Sequence, residues 1–134
     1  MLDSPIVDAL HTLAEIATGE LPHRTEKPWG FELLWAWGDR YAGKFLHVRA
    51  GHRLSLQYHR VKEETMFVVR GRLTVEREAN DGEMEVIDGR PGDVIHIPPG
   101  RRHRLTAIED SDVLEVSTPE LEDLVRVQDD FGRA

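Results

Sequence analysis

The chain has 134 residues, with 25 acidic against 17 basic side chains, a net charge of −8 and no cysteine. That length closes one hydrophobic core and not two. The acidic balance disfavours nucleic acid and anionic membrane surfaces, and the lack of cysteine excludes disulfides, thiolate metal sites and cysteine nucleophiles. No run of 18 apolar residues is present, and the start Met1-Leu2-Asp3 is not a basic stretch leading into an apolar one. No membrane span and no signal peptide are therefore expected, and the cytoplasm is the expected compartment.

Residues 4 to 19 read as one helix. Ser4 can cap it, Pro5 suits the first helical position, and Gly19 stops it. Ile6, Leu10, Leu13 and Ala17 fall on one stripe, which packs either on the outside of the main body or on a second subunit. His11 is expected at the surface of this helix.

From Phe31 the period changes from helical to alternating. Ten short strands are expected: Phe31–Ala36, Lys44–Arg49, Leu54–His59, Thr65–Arg70, Leu73–Arg77, Met84–Ile87, Val94–Ile97, Arg104–Ile108, Val113–Ser117 and Leu124–Val127. Breakers such as Gly38-Asp39, Arg70-Gly71, Asn80-Asp81-Gly82 and Asp88-Gly89-Arg90-Pro91-Gly92-Asp93 separate them. Strands this short and this numerous predict an all-β sandwich or barrel. A helical arm over residues 1–24 and a strand body over residues 25–134 follow. Pro98-Pro99-Gly100 cannot sit within a sheet, so it is a corner.

Gln57 and His59 are two apart in a strand and share a face. The short connection to Glu64 predicts an antiparallel neighbour that returns Glu64 beside His59. His103 opens a later strand beyond the Pro-Pro-Gly corner, so three side chains come from one hairpin and one from across the interior. Two imidazoles, a carboxylate and an amide oxygen suit one divalent ion, whether Zn, Mn, Fe, Co or Ni. A single anionic ligand leaves the site net positive, which would draw an anionic or polyhydroxylated ligand.

The run Gly51, Gln57-Tyr58-His59, Glu64 and Gly71 resembles the first cupin motif, with Gln57 where His is usual. The run Gly92, Pro98-Pro99-Gly100 and His103 resembles the second, with Ala107 in place of the usual terminal Asn. The resemblance implies a cupin (double-stranded β-helix, or jelly-roll) barrel with an added N-terminal helix, and it implies a homodimer. A closer likeness, to the cupin domain of type II mannose-6-phosphate isomerases, runs from Lys27-Pro28-Trp29-Gly30 to Asp130-Phe131-Gly132-Arg133. It includes Leu54-Ser55-Leu56-Gln57, Val68-Val69-Arg70-Gly71, Ile97-Pro98-Pro99-Gly100, His103-Arg104-Leu105 and Asp123-Leu124-Val125-Arg126. That family's Gln, His, Glu, His metal set accounts for Gln57. Three features depart from it: the histidine run after the Gln is reduced to His59, the segment Thr118–Glu122 is not Gly-rich, and the 134 residues include no nucleotidyltransferase domain.

The resemblance implies metal-assisted aldose–ketose isomerisation of a sugar phosphate or related carbohydrate. Lys62 matches the family's catalytic lysine in offset, and a lowered pKa would make it a base; otherwise it is a surface loop lysine. Arg133 matches the C-terminal Gly-Arg. Arg101, two before His103, and Lys44, between apolar residues where an ammonium needs a partner, are further candidates for holding the phosphate; the alternative for Lys44 is that it points to solvent. His96 either lines the cavity or is an outward structural residue. His47 and His52 are expected as structural residues, and Trp29, Trp35 and Trp37 as core or interface packing. Two other functions remain open. One is an Fe(II) dioxygenase built on the His, His, carboxylate set, and the other is a non-catalytic module that binds a carbohydrate or small acid.

Overall fold

A computed structural model describes Pro5, Val7, Asp8, His11 and residues 20–134. Eleven strands follow in order: β1 (His23–Lys27), β2 (Gly30–Trp37), β3 (Ala42–Val48), β4 (Leu56–Tyr58), β5 (Glu64–Arg70), β6 (Leu73–Glu78), β7 (Met84–Gly89), β8 (Val94–Ile97), β9 (His103–Ala107), β10 (Ser111–Ser117) and β11 (Val125–Gln128). They form two antiparallel sheets, β1-β2-β3-β10-β5-β8 and β11-β4-β9-β6-β7. The expected strands are present within a residue or two, except that Leu54–His59 shortens to β4. The added strand β1 carries the alternation His23-Arg24-Thr25-Glu26-Lys27, which has no apolar face to signal it. It crosses the expected boundary at residues 24 and 25. Among the described residues no helix is long and apolar enough to cross a membrane.

The core lies between the sheets. Leu46, Val48, Met66, Val68, Leu73, Val75, Ile95, Ile97, Leu105, Ala107 and Val113 are buried there with Trp29. Each comes from the inward parity of its strand, and each fully buried Val or Leu side chain contributes about 1.5–3 kcal/mol relative to exposure. At one end of the same inward rows the residues change to charged and amide side chains, and that end holds the candidate site.

The outer face of the six-stranded sheet carries a second apolar cluster, Phe31, Leu33 and Phe45, with Leu114 against it. His11 lies on this face with its ring edge-on to Phe31 and Phe45 at centroid distances of 5.6 and 5.4 Å. Pro5, Val7, Asp8 and His11 are helical, and Val7 is fully buried. The expected cap Ser4, the stripe Ile6, Leu10, Leu13 and Ala17, and the stop at Gly19 lie outside the described residues.

His11 is not the plain surface residue that was expected. Its Nε2 is 2.8 Å from Asp112 Oδ1, and His47 Nδ1 lies 2.8 Å from the same oxygen. Arg70 Nε donates to the other oxygen at 2.8 Å. His47, Asp112 and Arg70 stand opposite one another on β3, β10 and β5, so one buried carboxylate ties three strands and the N-terminal segment together. Burial would raise the Asp112 carboxyl, but hydrogen bonds from His47 and His11 outweigh it and hold it below the usual aspartate value.

Replacing Asp112 by Ala strands these donors and is expected to cost about 1–3 kcal/mol in urea unfolding. Because the folded pKa is depressed, the contribution is complete above the unfolded value of about 3.9 and fades as pH falls through the lower folded value. Asp112→Asn should therefore show a shallower loss of stability than the parent from about pH 5 downward.

Candidate metal centre

His59, Glu64 and His103 converge inside the barrel, each 4% exposed. His103 Nε2 is 3.0 Å from Glu64 Oε1, and His59 Nε2 is 3.4 Å from the same oxygen. Together they make a cluster of potential ligand atoms. The route that brings them together differs from the expected hairpin. β4 and β5 lie in opposite sheets, so the chain crosses the barrel between His59 and Glu64. Gln57, His59 and His103 come from the five-stranded side, where Gln57 and His103 are direct cross-strand partners. Glu64 opens β5 and meets them from the six-stranded side.

The corner Pro98-Pro99-Gly100 locks this arrangement. Gly100 N–H donates to the His59 main-chain oxygen at 2.6 Å, and its φ of 77° is a left-handed conformation that a side chain would strain. The corner then delivers His103 into β9.

The hydrogen bonds fix the protons of both rings. His59 Nδ1 is 2.6 Å from the Asp123 main-chain oxygen, and His103 Nδ1 is 2.9 Å from the Arg101 main-chain oxygen. A carbonyl oxygen only accepts, so Nδ1 carries the hydrogen in each ring. In the neutral rings both Nε2 lone pairs then point at the Glu64 carboxylate. Both Nε2 atoms are buried without a hydrogen-bond partner. Lone pairs gathered in a dry interior repel unless a cation stands among them, so these residues fit a divalent ion. Gln57 lines the same cavity, and its Oε1 accepts the Ser55 hydroxyl at 2.7 Å.

Lys62 is buried in this cavity, 3.4 Å from Glu64 Oε2 and 3.5 Å from Glu115 Oε2. It is therefore not a surface loop lysine. Burial alone would lower its pKa, but the Glu115 and Glu64 charges outweigh burial and raise it. The lowering expected beside a cation is opposed by the two carboxylates that face it. Burial would raise Glu64 too, yet its polar neighbours, the Lys62 ammonium among them, hold it well below the usual range. Glu115 moves the other way, pushed up by burial and by the Glu64 charge.

Lys44 and Arg133 also line the cavity. Lys44 does not point to solvent: its Nζ pairs with Glu32 Oε2 at 3.1 Å, the partner that its apolar surroundings require. Arg133 forks onto Asp129 at 2.9 and 3.0 Å. Two substrate-binding candidates fall outside the cavity: His96 takes the outward of its two expected places, and the expectation for Arg101 is corrected. His96 alternates with inward Ile95 and Ile97, faces outward and bonds Glu63 Oε2 at 2.5 Å. Arg101 turns to the far side of the corner, where it donates to the Glu78 main-chain oxygen and to Asn80, and it lines a different cleft.

Sequence reading missed Lys27, Glu32, Glu115 and Arg126, all on the cavity wall. Glu115 follows Val113 on the inward parity of β10, and that was its signal. Arg126 stands directly opposite cavity-lining Gln57, with its Nε buried and unpartnered. Of the tryptophans, Trp29 is core, whereas Trp35 and Trp37 are about half exposed.

A two-sheet antiparallel barrel with a buried His, Glu, His cluster defines a cupin. The chain belongs to that family, because residues 44–118 match the Cupin domain. It is similar to mannose-1-phosphate guanylyltransferase of Escherichia coli (strain K12), 34% identical over 127 residues, covering 87% of this chain and 25% of that protein. The chain thus spans about a quarter of the length of that relative. Among solved structures it resembles oxalate decarboxylase from Bacillus subtilis, with a TM-score of 0.70, 15% identity and coverage of 80% of this chain and 30% of the other. KdgF from Halomonas sp. has a TM-score of 0.64 at 23% identity, covering 75% and 91%. CapF from Staphylococcus aureus has a TM-score of 0.66 at 19% identity, covering 79% and 34%. At these identities the structural likenesses establish the barrel alone.

A bound ion should stabilise the fold by mass action, about 2.7 kcal/mol when free metal is 100 times the dissociation constant. Denaturant unfolding with and without Zn²⁺ reads this increment. His103→Ala is expected to abolish it while leaving a folded barrel.

Proposed function

We propose that the chain is a metal-dependent aldose–ketose isomerase acting on a sugar phosphate or a related carbohydrate. The observation that carries this reading is the pair of unpartnered Nε2 atoms facing Glu64, beside a cavity that His59 and Glu64 line together with Lys62, Lys44, Arg126 and Arg133. His59, Glu64 and His103, with Gln57 as fourth ligand, would hold the ion. When bound, the ion would polarise the substrate's carbonyl and hydroxyl oxygens as a Lewis acid.

The remaining steps fall to the chain's own residues. Isomerisation takes a proton from the hydroxyl-bearing carbon beside the carbonyl and returns one to the former carbonyl carbon, while the proton of that hydroxyl passes to the former carbonyl oxygen. Lys62 and Glu115, buried side by side, are the proton-handling pair. The unpartnered Nε of Arg126 offers a donor to an anionic group of the ligand, and Arg133 offers a second once Asp129 shares it. Trp29 and Leu124 on the cavity wall exclude water from the reacting carbons. The similarity to a mannose-1-phosphate guanylyltransferase supports a sugar-phosphate ligand over other small acids.

The decisive assay is conversion of mannose 6-phosphate to fructose 6-phosphate by protein loaded with Zn, Mn or Co. Lys62→Met is expected to lower kcat about 10²–10⁴-fold with the metal retained. Absence of turnover across a panel of hexose and pentose phosphates would defeat the reading. Thermal stabilisation by those sugars without turnover would instead favour a binding module. The two-His, one-carboxylate set also suits Fe(II) oxygen chemistry, which oxygen uptake would reveal.

A further inference from the structure

The match to the Cupin domain ends at residue 118, yet the geometry of the metal cluster depends on a residue beyond it. Asp123 uses all of its oxygens on the crossing segment that joins the two sheets. Its main-chain oxygen accepts His59 Nδ1–H at 2.6 Å. Its Oδ1 accepts Arg60 N–H at 3.0 Å, and its Oδ2 accepts Val61 N–H at 2.7 Å and Lys62 N–H at 2.9 Å. Four consecutive residues are thus held by one, and two of them, His59 and Lys62, carry the proposed chemistry. A further pair of bonds closes the strap: Glu63 N–H to Thr118 Oγ1 at 3.0 Å and Thr118 N–H to Glu63 O at 3.0 Å.

We propose that Asp123 is a positioning residue for the metal centre, fixing the tautomer and rotation of His59 through its carbonyl and the path of residues 60–62 through its carboxylate. This rests on the metal reading of the cluster. The crossing segment has no ladder of its own, so its three N–H groups need acceptors from elsewhere, and Asp123 supplies all three. With those bonds made, the Asp123 carbonyl is locked at hydrogen-bond distance from the ring. The His59 proton then stays on Nδ1, and the Nε2 lone pair stays aimed at the cluster. His103 is oriented independently by the Arg101 oxygen, so loss of Asp123 should disturb one ligand and spare the other.

The test uses the full chain as Asp123→Ala and Asp123→Asn, with Asp130→Ala as a control for the tail. Asp130 forms only an ion pair with Arg53 on the outside. Long-range ¹H–¹⁵N spectra of the histidine side chains, recorded on apo-protein, read each tautomer. Competition with a chromophoric chelator reads Zn²⁺ affinity. Asp123→Ala is expected to weaken Zn²⁺ binding about 10–100-fold and to convert His59 from pure Nδ1–H to a mixture, with His103 unchanged. Asp123→Asn keeps one acceptor oxygen and should fall between, and it serves if the alanine variant does not fold. Unchanged His59 tautomer and unchanged affinity would overturn the proposal. An equal change at His103, or an equal loss in Asp130→Ala, would overturn it too, since that is general loosening. If the parent protein binds no Zn²⁺, the metal reading fails, and the tautomer spectra alone decide whether Asp123 positions the ring.

Discussion

Two imidazole lone pairs and a carboxylate oxygen meet in the dry interior of this barrel, within 3.0 and 3.4 Å. Nothing else in the cavity makes sense without that meeting. The ring geometry brings it about: each Nδ1–H is spent on a main-chain oxygen, so in the neutral ring each Nε2 faces Glu64 as an acceptor. Three acceptors that gather away from water need a positive partner. The Lys62 ammonium offsets part of the charge from the Oε2 side, but it reaches neither imidazole nitrogen within ion-pair or hydrogen-bond distance.

The barrel's construction serves this meeting. The inward rows that build the apolar core continue toward one end as Lys44, Glu64 and Glu115 on the six-stranded sheet, facing Gln57 and His103 on the other. The Pro-Pro-Gly corner supplies one clamp on His59, and the C-terminal strap supplies the other. On the opposite, outer face the same sheet carries Asp112 and its histidine and arginine partners. Both Asp112 oxygens there are already engaged by donors, which is why that second cluster reads as a structural tie rather than a metal site.

The alternation of apolar residues made the strands, the core and the inward direction of Gln57 and His103 legible in the sequence itself. The charged strand β1 was not legible, because without an apolar face a strand has no periodic signature. The sheet membership of β4 and β5 was also hidden. A short link between two strands reads as a hairpin, and only the core's closure shows that this link crosses the barrel. His96 and Arg101 illustrate the limit for single residues. Parity alone puts His96 outside with Val94, a constraint that outweighs its apolar neighbours in sequence. Arg101 precedes β9, where parity does not apply and the corner's bend decides direction. Glu115 was readable from the inward parity of Val113 but lies outside the recognisable motifs, whereas Arg126 lies within the quoted run Asp123–Arg126 and only its pairing with Gln57 brings it to the cavity.

The most direct test is diffraction from crystals of the metal-loaded protein, recorded on either side of the metal's absorption edge. The account predicts one anomalous peak bonded to His59 Nε2, His103 Nε2 and the Glu64 carboxylate at about 2.0–2.2 Å. No peak there, with both rings protonated and hydrogen-bonded to Glu64 instead, would contradict it.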